Sequence, residues 1–283
     1  MPQLYIYDDS FDGLLTALFS AYCAAEKPDG IAAESEFEDG LFVEKIKIAS
    51  DRVKAGNAIN VIANLISLDA LHNIFYAFLA ESDDHGGIIY DYFKFGIEKG
   101  RLADNFLHDP RVIGVHKLRD KLHCEKHRLL GLIRFKQVES ADNSPLYYAE
   151  CEPDNNVIGL LAPHFAHRLP GERWMIHDLK RGIAVINEAR PTTRRGGGGN
   201  CKNAGTGETE KTWTVVDITR DKAPENARNE ELYQELWRAF MKSIAIETRI
   251  NPKLQRRCMP ARYWKYLTEM QPPPPRKNIV NKS

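Results

Sequence analysis

Apolar positions recur along this chain in two rhythms, one near three to four residues and one near two. Leu4-Tyr5-Ile6-Tyr7 predicts a strand and Asp8-Asp9-Ser10 a turn and cap. Phe11 to Ala25 predicts a helix with Leu14, Leu15, Leu18, Phe19 and Tyr22 on its inner face. Lys27 to Gly40 is polar and acidic and reads as loop, and Leu41 to Ile48 alternates as a strand does. From about residue 50 to 128 the period is helical. Asp51–Ile66, Leu68–Ala80 and Gly87–Lys99 follow one another, and Asp109-Pro110 opens a fourth helix carrying Val112, Val115, Leu118 and Leu122.

The texture changes at about residue 129. Leu132-Ile133-Arg134-Phe135 and Leu146-Tyr147-Tyr148-Ala149 read as paired strands around the turn 140–144, after which Asp154 is expected to cap a short helix. Arg173–Ile176 and Ile183–Ile186 read as a hairpin around Lys180-Arg181-Gly182, and Trp213–Ile218 as a returning strand. The fold class is therefore α+β: a helical block at about 50–128, a largely antiparallel sheet at about 129–220, and a closing amphipathic helix. One domain is expected over 1–270, with a glycine-rich loop at 194–211 and a proline-rich disordered tail at 271–283.

The closing stretch Glu230–Glu269 organises the rest. Leu232, Leu236, Phe240 and Ile244 fall four apart, with Tyr233, Trp237 and Met241 in the adjoining row, so this face is expected to pack on a core. Asn251-Pro252 then reads as a cap and first helical position. Arg249, Lys253, Arg256, Arg257, Arg262 and Lys265 crowd together with Tyr263 and Trp264. Two readings fit that mixture: a solvated basic face over a buried Tyr–Trp pair, or a surface for phosphates with rings for bases.

Total charge does not separate them, because 39 cations balance 39 anions. Distribution says more. Residues 1–40 hold nine acids against Lys27, whereas 241–283 hold ten cations against Glu247 and Glu269. Segment 111–136 is basic as well. Such asymmetry suits either a polyanion-binding face or two ends that attract one another. Five scattered cysteines without a close pair argue for reduced thiols, and no basic-then-apolar leader or bilayer-length apolar run occurs. A cytoplasmic protein with no membrane partner is expected.

Several groups are candidates for chemistry. His123 and His127 stand at i and i+4 and share a helix face; the spacing admits a metal pair but supplies no third ligand, and imidazoles at a helix end also suit its dipole. His164, His167 and Arg168 precede His177-Asp178 and Lys180-Arg181. Neighbours on a strand point to opposite faces, so Asp178 is either an acid salt-bridged to Arg181 or Arg168, or a catalytic carboxylate. The run Gly196–Gly199 lacks the context of a phosphate loop, and neither a Cys-x3-Cys-x2-Cys cluster nor a G-x-S-x-G elbow is present. No metal or cofactor is expected.

Five blocks in order resemble the bacterial "probable DNA metabolism protein" family, a domain of unknown function. They are Tyr7–Gly13, Glu125–Phe135, Glu152–Val157, His164–Arg168 with Trp174, Asp178 and Lys180-Arg181, and Ile246–Gln255 running into Met259–Lys265. The resemblance implies a protein of DNA repair or modification that partners a radical S-adenosylmethionine enzyme and in some relatives is fused to a uracil-DNA-glycosylase-like domain. On that footing the chain is expected to be an accessory protein that binds DNA. Arg128, Arg134, Lys180, Arg181, Arg249, Lys253, Arg256, Arg257, Arg262 and Lys265 would meet phosphates, and Tyr263 or Trp264 would stack on a base. Two alternatives stand beside it. One is a DNA-acting hydrolase, nuclease or glycosylase-like, using Glu125, His127, His164 and Asp178. The other is a protein-interaction scaffold.

Overall fold

The computed structural model describes residues 1–36, 43–139, 144–188, 213–218, 224, 226–227 and 229–272. Contacts divide the chain into two compact units, residues 1–125 with 154–156 and residues 126–153 with 157–283, where the sequence reading treats 1–270 as one domain.

The first unit is built on a three-stranded sheet of order β2-β1-β3, formed by β1 (Gln3–Tyr7), β2 (Gly30–Ala33) and β3 (Glu44–Lys47). Both pairings are parallel, with Leu4 opposite Gly30 and Lys45. Parallel neighbours require a crossover, and α1 (Phe11–Cys23) supplies the first. It starts at Ser10, whose side chain accepts the Gly13 N–H at 2.9 Å, and it buries Leu14, Leu15, Ala17, Leu18 and Ala21. Strand β2 corrects the expectation of a loop across 27–40. Within β2 only Ile31 and Ala33 are buried, too short a signal to stand out among acidic neighbours.

Helices α2 (Arg52–Val61), α3 (Leu68–Leu79), α4 (His85–Lys99) and α5 (Pro110–Leu132) follow. Asp51, Ser67 and Asp84 cap the first three through their side chains. The expected helix 51–66 ends in a π-helical turn at Ile62–Ile66, where Ile62 and Ile66 are both buried. Gly86 lets α4 approach β2 closely, since a Cβ there would lie 2.7 Å from the Ile31 carbonyl oxygen.

The second unit is a five-stranded sheet in chain order: β4 (Lys136–Val138), β5 (Leu146–Cys151), β6 (Trp174–Asp178), β7 (Ile183–Asn187) and β8 (Trp213–Asp217). Three of its four pairings are antiparallel; β5 and β6 run parallel, joined by α6 (Ile158–Arg168). The predicted hairpin is β6–β7, with Trp174 opposite Asn187. Strand β6 is buried along its whole length, and Trp174 packs edge-on against Phe135 and Phe165. Two expectations shift. Leu132 still belongs to α5, so the strand begins only at Lys136. Asp154 does not cap α6, which starts after Val157 without a side-chain cap, because Asp154 and Asn155 direct their N–H groups at Glu125.

Last come α7 (Glu230–Ile244) and α8 (Pro252–Cys258). Asn251 caps α8 by accepting the Leu254 N–H, as its place before Pro252 predicts. The α+β class holds, with helices beside mixed and antiparallel strands. The glycine-rich loop 194–211 and residues 273–283 lie outside the described residues.

Candidate nucleic-acid interface

A cleft of about 580 Å³ lies in the second unit. Aromatic and cationic side chains line it: Phe135, Tyr147, Tyr233 and Trp237 with Arg134 and Arg168, and the amide-bearing Gln137 and Gln234. A smaller cleft of about 230 Å³ shares Arg134, Phe135, Gln234 and Thr268 with it and adds Lys136, Glu150, Lys265 and Tyr266.

Local bonding fixes these walls. Arg134, in the link from α5 to β4, donates through Nη2 to Glu269 Oε1 at 2.7 Å and through Nη1 to the Gly131 carbonyl at 2.8 Å. Trp237 Nε1 donates to the other Glu269 oxygen at 2.9 Å, and the Arg134 guanidinium lies 5.5 Å from the Trp237 ring. One carboxylate thus orients both a cation and an indole. Burial alone would push the Glu269 carboxyl up, but the bonds from Arg134 and Trp237 outweigh it and hold it below its ordinary value. Glu230, buried at the start of α7, accepts the Gln137 N–H at 2.9 Å and the Gln234 side-chain amide at 2.9 Å. Lys265 donates to Glu152 at 2.5 Å; burial and the same carboxylate together raise the Tyr266 hydroxyl far above its usual range.

The candidate cations differ in their surroundings. Arg134, Arg181 and Lys265 are held in ion pairs with Glu269, Asp178 and Glu152. Arg128, Lys180, Arg249, Lys253, Arg256, Arg257 and Arg262 are exposed, three of them on α8. Tyr263 is buried and offers no open face for stacking, whereas Trp264 is half-buried. Tyr263 is 2% exposed, with the Arg262 guanidinium 4.7 Å from its centroid; the Trp264 N–H donates to the Met259 carbonyl, which fixes the orientation of that ring. More open aromatic surface stands on α7, where Tyr233 is 58% and Trp237 36% exposed.

The four candidate acid–base groups have different surroundings. Glu125, on α5 in the first unit, is buried and accepts the N–H of Asp154 and the N–H and side-chain amide of Asn155. Asp178 is fully buried at the end of β6, where it accepts the Lys180 and Arg181 N–H groups and the Arg181 guanidinium at 2.7 Å. That settles its partner as Arg181. His127 and His164 are exposed, the latter edge-on to Phe165. His177, beside Asp178 in sequence, faces the other way, 2.8 Å from the Tyr148 hydroxyl.

Pattern reading assigned Tyr233 and Trp237 to a buried stripe and so passed over them. Glu269 gave no sequence signal, since its partners lie far away in the chain. It also passed over a cluster in the first unit, where His85 Nε2 is 2.8 Å from the buried Tyr7 hydroxyl and Nδ1 is 2.5 Å from Glu36. Burial, then the charges of Glu36 and Asp9, raise that hydroxyl well beyond the usual tyrosine range.

Among the described residues no group of three or more His, Cys, Asp or Glu side chains is arranged to hold a metal ion, and no helix is long and apolar enough to cross a membrane. No curated protein matches the chain. A family model does match, over residues 83–269, and by that match the chain belongs to the family described as Domain of unknown function (DUF4130).

Proposed function

We propose that the second unit binds nucleic acid and that the protein acts as an accessory factor in DNA metabolism or repair. One observation carries this reading: the cleft combines Trp237, Tyr233 and Tyr147 with the exposed Arg168, aromatic surface for bases beside a cation for phosphate, and the Arg134–Glu269 pair holds the Trp237 indole in place. The exposed cations Lys253, Arg256 and Arg257 on α8, with Arg249 before it, add sequence-independent attraction for a phosphate backbone. By the family resemblance, the enzyme it would assist is a DNA-modifying or repair protein of the radical S-adenosylmethionine class. That assignment rests on the resemblance alone.

The hydrolase alternative draws no support from the site geometry, because Glu125 and Asp178 are both buried and spent on structural hydrogen bonds. Fluorescence anisotropy with labelled single- and double-stranded oligonucleotides tests the proposal. Binding that weakens in a Trp237→Ala variant and with added salt supports it. Absence of binding to either form at low salt rejects it.

A further inference from the structure

Helix α7 docks through the side that its pattern assigns to solvent. Glu230, Gln234, Arg238 and Met241 fall at i, i+4, i+8 and i+11, and this mostly polar row meets the rest of the unit. Glu230 is buried against the Gln137 N–H, and Arg238 Nε donates to the Thr268 carbonyl at 3.1 Å. The opposite row carries the apolar residues. Leu232 is 57% exposed, Leu236 56%, Phe240 51% and Ile244 53%. Four large apolar side chains left in water on one face form a surface suited to association.

We infer that this row is an isologous contact with a second copy of the chain, α7 packing antiparallel on α7. Charge selects both the occupant and the direction. Glu231, Glu235 and Lys242 stand at i, i+4 and i+11, on one flank of the apolar row, with acids in the N-terminal half and the cation in the C-terminal half. A two-fold axis midway between Leu236 and Phe240 brings Lys242 of each helix within a turn of Glu231 and Glu235 of the other. A parallel pair would turn this flank toward the other side of the partner's apolar row, where the acids and the cation have no complement. A uniformly acidic or basic partner would match one half of the flank and repel the other. The flank is self-complementary only when reversed, which is what a two-fold contact supplies.

Size-exclusion chromatography with light scattering on the full chain, over a range of concentrations, tests this. The wild type is expected to run as a dimer. Phe240→Asp should give a monomer with an unchanged circular dichroism spectrum, since Phe240 is exposed in the single chain. Lys242→Glu should weaken the dimer about 10-fold, and adding Glu231→Lys and Glu235→Lys should restore it. A wild type that stays monomeric at every concentration overturns the inference, as does a dimer indifferent to Phe240→Asp. Failure of the triple charge swap to restore association overturns the antiparallel arrangement. Loss of oligonucleotide binding in Phe240→Asp, with the dimer intact, would assign the row to nucleic acid and overturn it too.

Discussion

The carboxylate of Glu125 accepts two bonds from Asn155, the backbone N–H at 2.8 Å and the side-chain amide at 2.6 Å, and a third from the Asp154 N–H at 2.7 Å. Asn155 in turn accepts the Glu81 N–H at 3.0 Å through Oδ1. Three residues from far along the chain, 154–156, are thereby built into the first unit. The residues that resemble a catalytic acid and a helix cap are one structural clasp.

Replacing Glu125 with Ala should therefore destabilise the first unit by about 3 kcal/mol, because two buried donors and a part-buried one lose their acceptor together. Asn155→Ala removes fewer bonds and should cost less. Urea denaturation read by circular dichroism checks both. A Glu125→Ala midpoint equal to wild type would refute the clasp.

Two glycine-to-alanine changes in the first unit should have opposite signs. At Gly86 the new Cβ would meet the Ile31 carbonyl oxygen at 2.7 Å and the Ala32 Cα at 3.2 Å, backbone that cannot turn aside, for a loss of about 1–3 kcal/mol. At Gly56, inside α2, nothing lies within 4 Å of the new Cβ, and helix propensity should give a gain of about 0.5–1 kcal/mol. Thermal melts of the two variants side by side decide it.

The Glu269 carboxyl is held below its ordinary value of 4.5 by Arg134 and Trp237, against the effect of burial. A depressed carboxyl contributes stability that is present above its unfolded-state value and lost as pH falls through its folded-state value. Acidification below 4.5 should thus release the Trp237 indole and shift its fluorescence, and Glu269→Gln should remove that acid transition. Comparing emission of the two proteins down to pH about 3 measures it.

Charge reversal at Arg256 and Arg257 should weaken oligonucleotide binding. If each meets one phosphate of a single strand, the slope of log affinity against log salt should fall by about 1.4 for the pair. Reversal at Arg181 would instead leave Asp178 buried without its ion-pair partner and should appear first as lost stability. Anisotropy titrations at several salt concentrations, with melts of each variant, separate these outcomes.

Local pattern sufficed for much of the fold. The caps at Ser10 and Asn251, the helices α3 to α5 and the β6–β7 hairpin follow from short-range chemistry: side-chain oxygens near free N–H groups, proline in the first helical position, and periods of two and 3.6. The sequence by itself also established that α7 has an apolar row and that cations gather near the C-terminus. Tertiary structure decided what covers each of them. Strand β2 exists because β1 offers it a parallel edge, not because four residues declare a strand. Arg134, Arg181 and Lys265 look like Arg256 and Arg257 in the sequence, and they differ because carboxylates distant or near in the chain fold against them. Periodicity defines a face of α7 but carries no information about its neighbour. Glu230 and Arg238 found hydrogen-bond partners in Gln137 of β4 and the Thr268 carbonyl, so the polar row turned inward and the apolar row was left outside.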